Sequence, residues 1–368
     1  MPLASHVLGD RVRASYLGLL IGDALSMPVH WYYNPSHITR DFGRITTFQA
    51  PKAAHPSSIM TLSNTGGAGR GAQTGSIIGD VINHGKKQFW GVPNMHYHQG
   101  MAAGENTLNA VVARLLVRTL AGLPRAADAA AAAAAAGAPA APAAPAAALA
   151  TAPYSTAPFL AAYVAFMTTP GSHNDTYAET YHRMFFKNLR EGRAPEACAD
   201  DDKHNVDSAG GLVLLPPPAL LAAAAAAARS NGGSAAEAEA AAKAAARAAA
   251  TAQMFATHKS QRLAGFVGVY ADALAGALTS QLPPGEALRQ ATQAAGKALG
   301  LDIAKLVRDT PGQGQDTSVV GGTFTSACEW QQWRCVCVCG KRAGVGRPQP
   351  PALSACSHRA PPNTPRTP

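Results

Sequence analysis

The chain has 368 residues, a net charge of +9 and 6% aromatic residues, so it is long enough for a substantial core built on small aliphatic side chains. Six basic residues and no acidic residue follow position 330, which concentrates the charge in a tail and argues against nucleic-acid binding by the body. Five of the six cysteines follow residue 327, which excludes a disulfide framework across the body. No segment predicts a signal peptide or a membrane span, and we expect a cytoplasmic protein.

The first half of the chain predicts two helices separated by a long irregular region. Apolar spacing predicts a short helix over residues 11–26 and a stronger one from Thr107, with one buried face. Residues 31–103 are rich in Gly, Pro, Asn and His, which is typical of a functional loop region or of disorder. The Ala/Pro tract at 121–158 is a low-complexity insertion.

The second half predicts further helices. Residues 176–179 and 234–237 fit capping boxes that open helices, and later helices are expected at 262–280 and 286–307. With the Ala-rich segment 219–250, the body predicts an all-α fold, a single orthogonal bundle of many helices with long loops, over residues 1–330. Residues 331–368 predict a disordered tail or sequence foreign to the fold.

The first candidate site follows the first helix. Asp23 and His30 lie on adjoining turns where the helix stops at Pro28. A carboxylate and an imidazole at such a break could bind a cation or transfer a proton. Alternatively, Asp23 caps a neighbouring helix and His30 is a surface or core residue.

The second candidate is the start of the strong helix. Glu105, Asn106 and Thr107 bring three oxygen-bearing side chains within one turn, and such oxygens suit a hard cation such as Mg²⁺. The same residues also fit an ordinary helix cap. A third segment, 200–211, has four carboxylates and a histidine before a Gly-Gly turn. It suits a cation- or phosphate-facing loop, or a solvated acidic loop.

Three segments together resemble the ADP-ribosylglycohydrolase family. Residues 22–30, Gly-Asp-Ala-Leu-Ser-Met-Pro-Val-His, resemble its amino-terminal signature Gly-Asp-Ala-Leu-Gly-x-Pro-x-Glu. Residues 104–107, Gly-Glu-Asn-Thr, stand where the family has Ser/Thr-Asp-Asp-Thr, and residues 257–260, Thr-His-Lys-Ser, resemble its Thr-His-x-Ser turn. The order of the segments agrees over roughly residues 11–330.

The resemblance implies an all-α hydrolase with Mg²⁺ or Mn²⁺ in a cleft. Its substrate would be an ADP-ribosylated protein or a small ADP-ribose derivative, cleaved at a glycosidic bond through an oxocarbenium-like state. It implies catalytic roles for His30 and Asp23, and metal-side oxygens from Glu105, Asn106 and Thr107.

This chain departs from the family pattern at several of these positions. His30 replaces a Glu, residues 105–106 carry one negative charge instead of two, and the late Asp-x-Asp-Thr motif is reduced at best to Gly-Gln-Asp-Thr at 314–317. Fewer carboxylates would hold divalent ions weakly. The alternative is therefore an inactive ADP-ribose-binding or crystallin-like structural protein on the same fold.

Overall fold

The computed structural model describes residues 3–122, 154–230, 233–303 and 305. Among these residues the chain forms helices joined by long loops, and strand pairing is limited to isolated bridges, so the predicted all-α class is confirmed. The α-helices are α1 (Ser5–Ser26), α2 (Pro35–Phe42), α3 (Leu108–Leu120), α4 (Ala157–Met167), α5 (Thr180–Arg190), α6 (Pro216–Arg229), α7 (Ala235–Thr257), α8 (Gln261–Thr279) and α9 (Pro284–Ala298). Short 3₁₀ or π turns occur at Met27–Val29, Met60–Leu62, Ile77–Val81, Lys87–Phe89, Pro195–Ala197 and Ala209–Leu212.

Helices α6, α7 and α8 pack against one another through small residues, and we call these three helices the alanine layer. Buried residues recur at every fourth position of each helix, which places them on one face. They are Ala219, Ala223 and Ala227 on α6, Ala242, Ala246 and Ala250 on α7, and Leu263, Val267, Ala271 and Ala275 on α8. Because alanine ends at Cβ, the helix backbones approach closely and the ridges of one helix fit the grooves of the next.

A second core has a different composition. Leu116 of α3, Phe159 and Tyr163 of α4, and Phe185 and Phe186 of α5 are all essentially inaccessible to solvent. The rings of Tyr163 and Phe185 lie edge to face at 5.1 Å, an arrangement that aromatic pairs favour. This aromatic core fixes the positions of α3 and α5, the two helices whose N-termini meet at the candidate site.

A buried arginine holds the irregular region that precedes α3. The Arg183 guanidinium, 0% exposed, donates hydrogen bonds to the carbonyl oxygens of Asn64, Ala68 and Gly69 and to the Thr180 hydroxyl. It also lies over the Trp90 ring, 5.4 Å from the centroid. Backbone carbonyl oxygens and a hydroxyl group thus accept the hydrogen bonds of the guanidinium. These bonds fix residues 64–69 against α5.

The helix starts agree with the sequence in some places and differ in others. The capping box at Ser234 and Glu237 is present. The one predicted at 176–179 is wrong, because α5 begins at Thr180 with Glu179 as its N-cap residue. The Thr176 hydroxyl donates instead to the Gln99 carbonyl, 2.8 Å away. Glu179 is thereby free to contact other elements.

One stretch in the described residues, Gly210–Arg229, is long and apolar enough to cross a bilayer, with a mean hydropathy of 1.8. Within the protein 61% of it is buried, and a core helix passes the same test of length and composition. Most of the 121–158 insertion, the 314–317 motif and the 331–368 tail lie outside the described residues.

Candidate active site

The last turns of α1 meet the start of α3 at Asp23. Asp23 Oδ1 accepts a hydrogen bond from the Thr107 hydroxyl at 2.6 Å, and Oδ2 accepts from the Thr107 backbone N–H at 2.8 Å. The Asn106 side-chain amide donates to Oδ2 at 3.0 Å and to the Leu20 carbonyl. Two of the three segments that carry the family resemblance, 22–30 and 104–107, are therefore in direct contact. Burial raises the pKa of Asp23, while the bonds from Thr107 and Asn106 lower it in part.

A second carboxylate from a distant segment caps α3. Asp175 Oδ2 accepts from the Leu108 backbone N–H at 2.7 Å, and Leu108 is the first residue of the helix. The first N–H groups of a helix have no partner within it and lie at the positive end of its dipole. The N-terminus of α3 thus holds Asp23 and Asp175 together, although 152 residues separate them in the chain.

Asp175 is also the origin of a hydrogen-bonded chain of histidines. Its Oδ1 contacts His98 Nδ1 at 2.8 Å, and His98 Nε2 contacts His30 Nδ1. Burial raises the pKa of Asp175, but the neighbouring His98 lowers it by more, so the pKa lies below its usual value and the carboxyl is ionised. The carboxylate favours a proton on His98 Nδ1. When each ring carries one proton, His98 Nε2 accepts the proton of His30 Nδ1, and the lone pair of His30 is then on Nε2.

A third histidine fixes this chain to the turn after α1. His96 Nε2 lies 3.1 Å from the Pro28 carbonyl, and its Nδ1 accepts the His98 backbone N–H at 3.0 Å. Burial, followed by the nearby His98, keeps the pKa of His96 well below its ordinary value. A neutral ring with its proton on Nε2 satisfies both contacts. The same causes, with His96 as a further neighbour, lower the pKa of His30.

Glu179 contributes to the site a carboxyl group whose pKa is strongly raised. Burial raises its pKa from 4.5 to about 7, although the Asn109 amide, donating to Oε1 at 2.6 Å, lowers it in part. Its other oxygen, Oε2, lies against Gly210, where an added Cβ would overlap it. A carboxyl with such a pKa holds a proton at neutral pH in about half of the molecules.

These groups line one small pocket. Its empty space, including the open mouth, is about 190 Å³, and the room at its centre is about that of one water molecule. The lining comprises His30, His98, Thr107, Leu108, Asn109, Asp175, Tyr177 and Glu179. A neutral imidazole and a carboxyl that can carry a proton therefore face the same space, which suits general acid and base chemistry.

The residues predicted as a site divide into three groups. His30 and Thr107 line the pocket, whereas Asp23 and Asn106 are bonded to each other behind it. Glu105 lies apart, because its Oε2 accepts from the Ala102 backbone N–H and the Asn174 side chain.

The geometry does not fit the divalent cation that the resemblance implies. The Thr107 hydroxyl and the Asn106 amide both direct protons to Asp23, and the one anionic predicted ligand, Glu105, bonds elsewhere. Throughout the described ranges, no three His, Cys, Asp or Glu side chains converge in a way that could hold a metal ion.

The other sequence candidates are accounted for by local hydrogen bonds. In the acidic segment, Asp202 accepts from the backbone N–H groups of His204 and Val206, and Asp207 accepts from Ser260. Ser260 also caps α8 through the Leu263 backbone N–H. These contacts match a structured loop, and the 257–260 turn lies between α7 and α8.

Of the eight residues that line the pocket, sequence reasoning predicted only His30 and Thr107 as members of a site. The missed residues include one imidazole and two carboxyl groups, those of His98, Asp175 and Glu179. Asp175 and Glu179 precede α5 and lie outside any helix, so their i,i+4 spacing does not by itself place the two carboxyl groups together, and the local pattern at 176–179 predicts a capping box instead. Comparison with family models, curated proteins and solved structures finds no match to this chain.

Proposed function

We propose that this protein hydrolyses a glycosidic bond of an ADP-ribosyl group or a related nucleoside-diphosphate sugar. The observation that carries the proposal is a carboxyl group with a pKa of about 7, Glu179, in the same pocket as the Asp175–His98–His30 chain. Glycosidases need one group that gives a proton to the leaving atom and another that assists an attacking water.

Glu179 is the proton donor in this proposal. An ordinary glutamic acid is almost fully ionised at neutral pH, whereas one with a pKa near 7 both holds a proton and can release it. Burial raises the pKa here. The proton passes to the leaving-group oxygen or nitrogen as the bond to the anomeric carbon breaks, and Glu179 is left ionised.

His30 assists the water. Asp175 favours the tautomers in which His30 Nε2 has a lone pair, and the lowered pKa of His30 keeps the ring neutral. Its Nε2 takes a proton from the water that attacks the anomeric carbon. Asp175 then stabilises the positive charge that develops across the two rings.

The substrate class rests on the resemblance of residues 22–30 and 104–107 to the family motifs. What supports it is that these segments meet at Asp23, close to the pocket. The partner would be an ADP-ribosylated protein or a small ADP-ribose derivative. The same resemblance separately predicts a requirement for Mg²⁺, and reactions with and without Mg²⁺ test it.

The test is release of free ADP-ribose from ADP-ribosylated arginine peptide and from small ADP-ribose glycosides. We expect Glu179→Gln to reduce the rate about 10²-fold or more, since glutamine cannot give a proton. Glu239→Gln is the matched control, because Glu239 is a partly exposed residue of α7 that pairs with Lys243. Equal rates in the wild type and Glu179→Gln would contradict the proposal. Parallel reactions with EDTA and with added Mg²⁺ test the metal requirement.

One observation favours a second function, that of a non-catalytic binding or structural protein. The pocket has room at its centre for about one water molecule, which is too little for a sugar without movement of its walls. Calorimetric titration with ADP-ribose separates the two. Binding without hydrolysis of any substrate favours a binding protein, and absence of both favours a structural one.

A further inference from the structure

The Asn109 side chain connects Glu179 to a buried group of aromatic residues. Asn109 lies in the first turn of α3, and its Nδ2 donates to Glu179 Oε1. An amide can face a carboxylate with its NH₂ group or with its oxygen, and only the first stabilises the ionised form. The orientation of this amide therefore decides how readily Glu179 gives up its proton.

Two donors fix the orientation. Asn109 Oδ1 accepts from the Tyr181 hydroxyl at 2.8 Å and contacts His182 Nε2 at 3.0 Å. With the amide turned over, its NH₂ group would face both of these groups, and its oxygen would face the carboxylate. The observed arrangement gives Oδ1 the Tyr181 proton, and a second one when His182 is protonated on Nε2, and it directs the NH₂ group to Glu179.

The proton on His182 is fixed in turn by Tyr163. The Tyr163 hydroxyl contacts His182 Nδ1, and both side chains are 0% exposed. Burial keeps the pKa of His182 well below its ordinary value, so the ring is neutral and has one proton and one lone pair. If Tyr163 donates its proton to Nδ1, the ring proton lies on Nε2 and points to Asn109, and every group in the series is satisfied.

We propose that Asn109 is a positioning residue for Glu179: the Tyr163–His182 pair and Tyr181 orient its amide, which holds Oε1 and leaves Oε2 to carry the transferable proton. The catalytic consequence rests on the proposed function, whereas the positioning does not. Oε2 lies against Gly210 in the space that a side chain at that position would fill. Asn109→Asp and Tyr163→Phe then act on the same carboxyl, although Tyr163 does not contact it.

Other groups also act on Glu179 and are the same in all variants. His98 and Arg183 stabilise its ionised form, and Asp175 opposes it. The loop with Gly210 contributes backbone at the contact with Oε2. A change in the Glu179 pKa on substitution of Tyr163 thus reports on the hydrogen-bonded series and not on a change of nearby charge.

The experiment is a ¹³C NMR titration of the ligand-free protein labelled at the glutamate carboxyl carbon. The Glu179 signal is assigned by its loss in Glu179→Gln. In Asn109→Asp we expect the Glu179 pKa to rise by about one unit or more, because a donor is lost and a negative charge is added. In Tyr163→Phe we expect a rise of about half a unit, because His182 can then place its proton on Nδ1 and the amide can turn over.

Tyr154→Phe is the matched control. The Tyr154 hydroxyl is also bonded to a side-chain oxygen, that of Gln253, but this pair is not connected to Glu179. It should leave the Glu179 pKa unchanged, and thermal unfolding checks that each variant is folded. Absence of either expected shift, or an equal shift in Tyr154→Phe, overturns the proposal.

The two proposals fail in different ways. Both shifts without hydrolysis of any substrate would overturn the proposed function and leave the positioning role of Asn109 intact. Hydrolysis that depends on Glu179, without the two shifts, would support the proposed function and overturn the positioning role of Asn109.

Discussion

The alanine layer and the region around the pocket are stabilised in opposite ways. In α6, α7 and α8 the contacts are between methyl groups at every fourth position, and the helices satisfy their own backbone hydrogen bonds. Around the pocket, buried polar side chains such as Asp23, Asp175 and Arg183 make the contacts that join separate segments. Buried polar groups contribute little net stability when paired, and destabilise strongly when one partner is removed.

The difference indicates where the chemistry of this protein can reside. The apolar face that these three helices share consists of aliphatic side chains, which neither transfer a proton nor bind a polar substrate, but it provides a rigid support. The polar region has such groups, and each is held by bonds to elements far away in the chain. Single substitutions should therefore have larger effects near the pocket than in the layer, unless they add volume to the layer.

The largest expected effect is that of Arg183→Met. It leaves the carbonyl oxygens of Asn64, Ala68 and Gly69 without their donor, and we expect the free energy of unfolding to fall by about 3–5 kcal/mol. Urea unfolding followed by circular dichroism measures it. Arg190→Met is the control on the same helix, since Arg190 is exposed and donates a hydrogen bond to the Ser76 hydroxyl. A loss as small as the control's would mean that Arg183 does not hold residues 64–69.

A smaller effect is expected from added volume in the alanine layer. Ala246→Leu places a larger side chain at a position of α7 that is 0% exposed, and we expect a loss of about 2 kcal/mol from overpacking. Ala248→Leu, two residues along and exposed, should change the same free energy by less than about 0.5 kcal/mol. Equal values for the two variants in thermal or urea unfolding would show that the helices are not closely packed at Ala246.

Much of the fold could be predicted from the sequence, because helix periodicity and capping are local. The start of α3 near Thr107 and the capping box at Ser234 follow from residues within one turn. Only the order of the family motifs predicts a contact of Asp23 with residues 106–107. In the structure, Asp23 makes this contact as a cap of α3 and accepts a hydrogen bond from the Thr107 backbone N–H.

The pocket itself could not be predicted in the same way. The local pattern at 176–179 predicts a capping box that includes Glu179. Its actual partners, Asn109 and Gly210, lie on other elements. His98 stands in a loop without periodicity, and nothing in its neighbours indicates that it bridges Asp175 and His30. Such contacts are decided by tertiary packing, which a single sequence does not encode in short-range patterns.

The most direct test of the proposed active site is the pH dependence of kcat/KM for hydrolysis. Glu179 must be protonated to act as the acid, and its pKa is raised to about 7. The rate should therefore be constant between about pH 5.5 and 6.5 and fall about tenfold per pH unit above pH 7.5. Any residual activity of Glu179→Gln should lack this fall. A wild-type rate that is flat or rising from pH 6.5 to 8.5 would contradict the assignment of Glu179 as the proton donor.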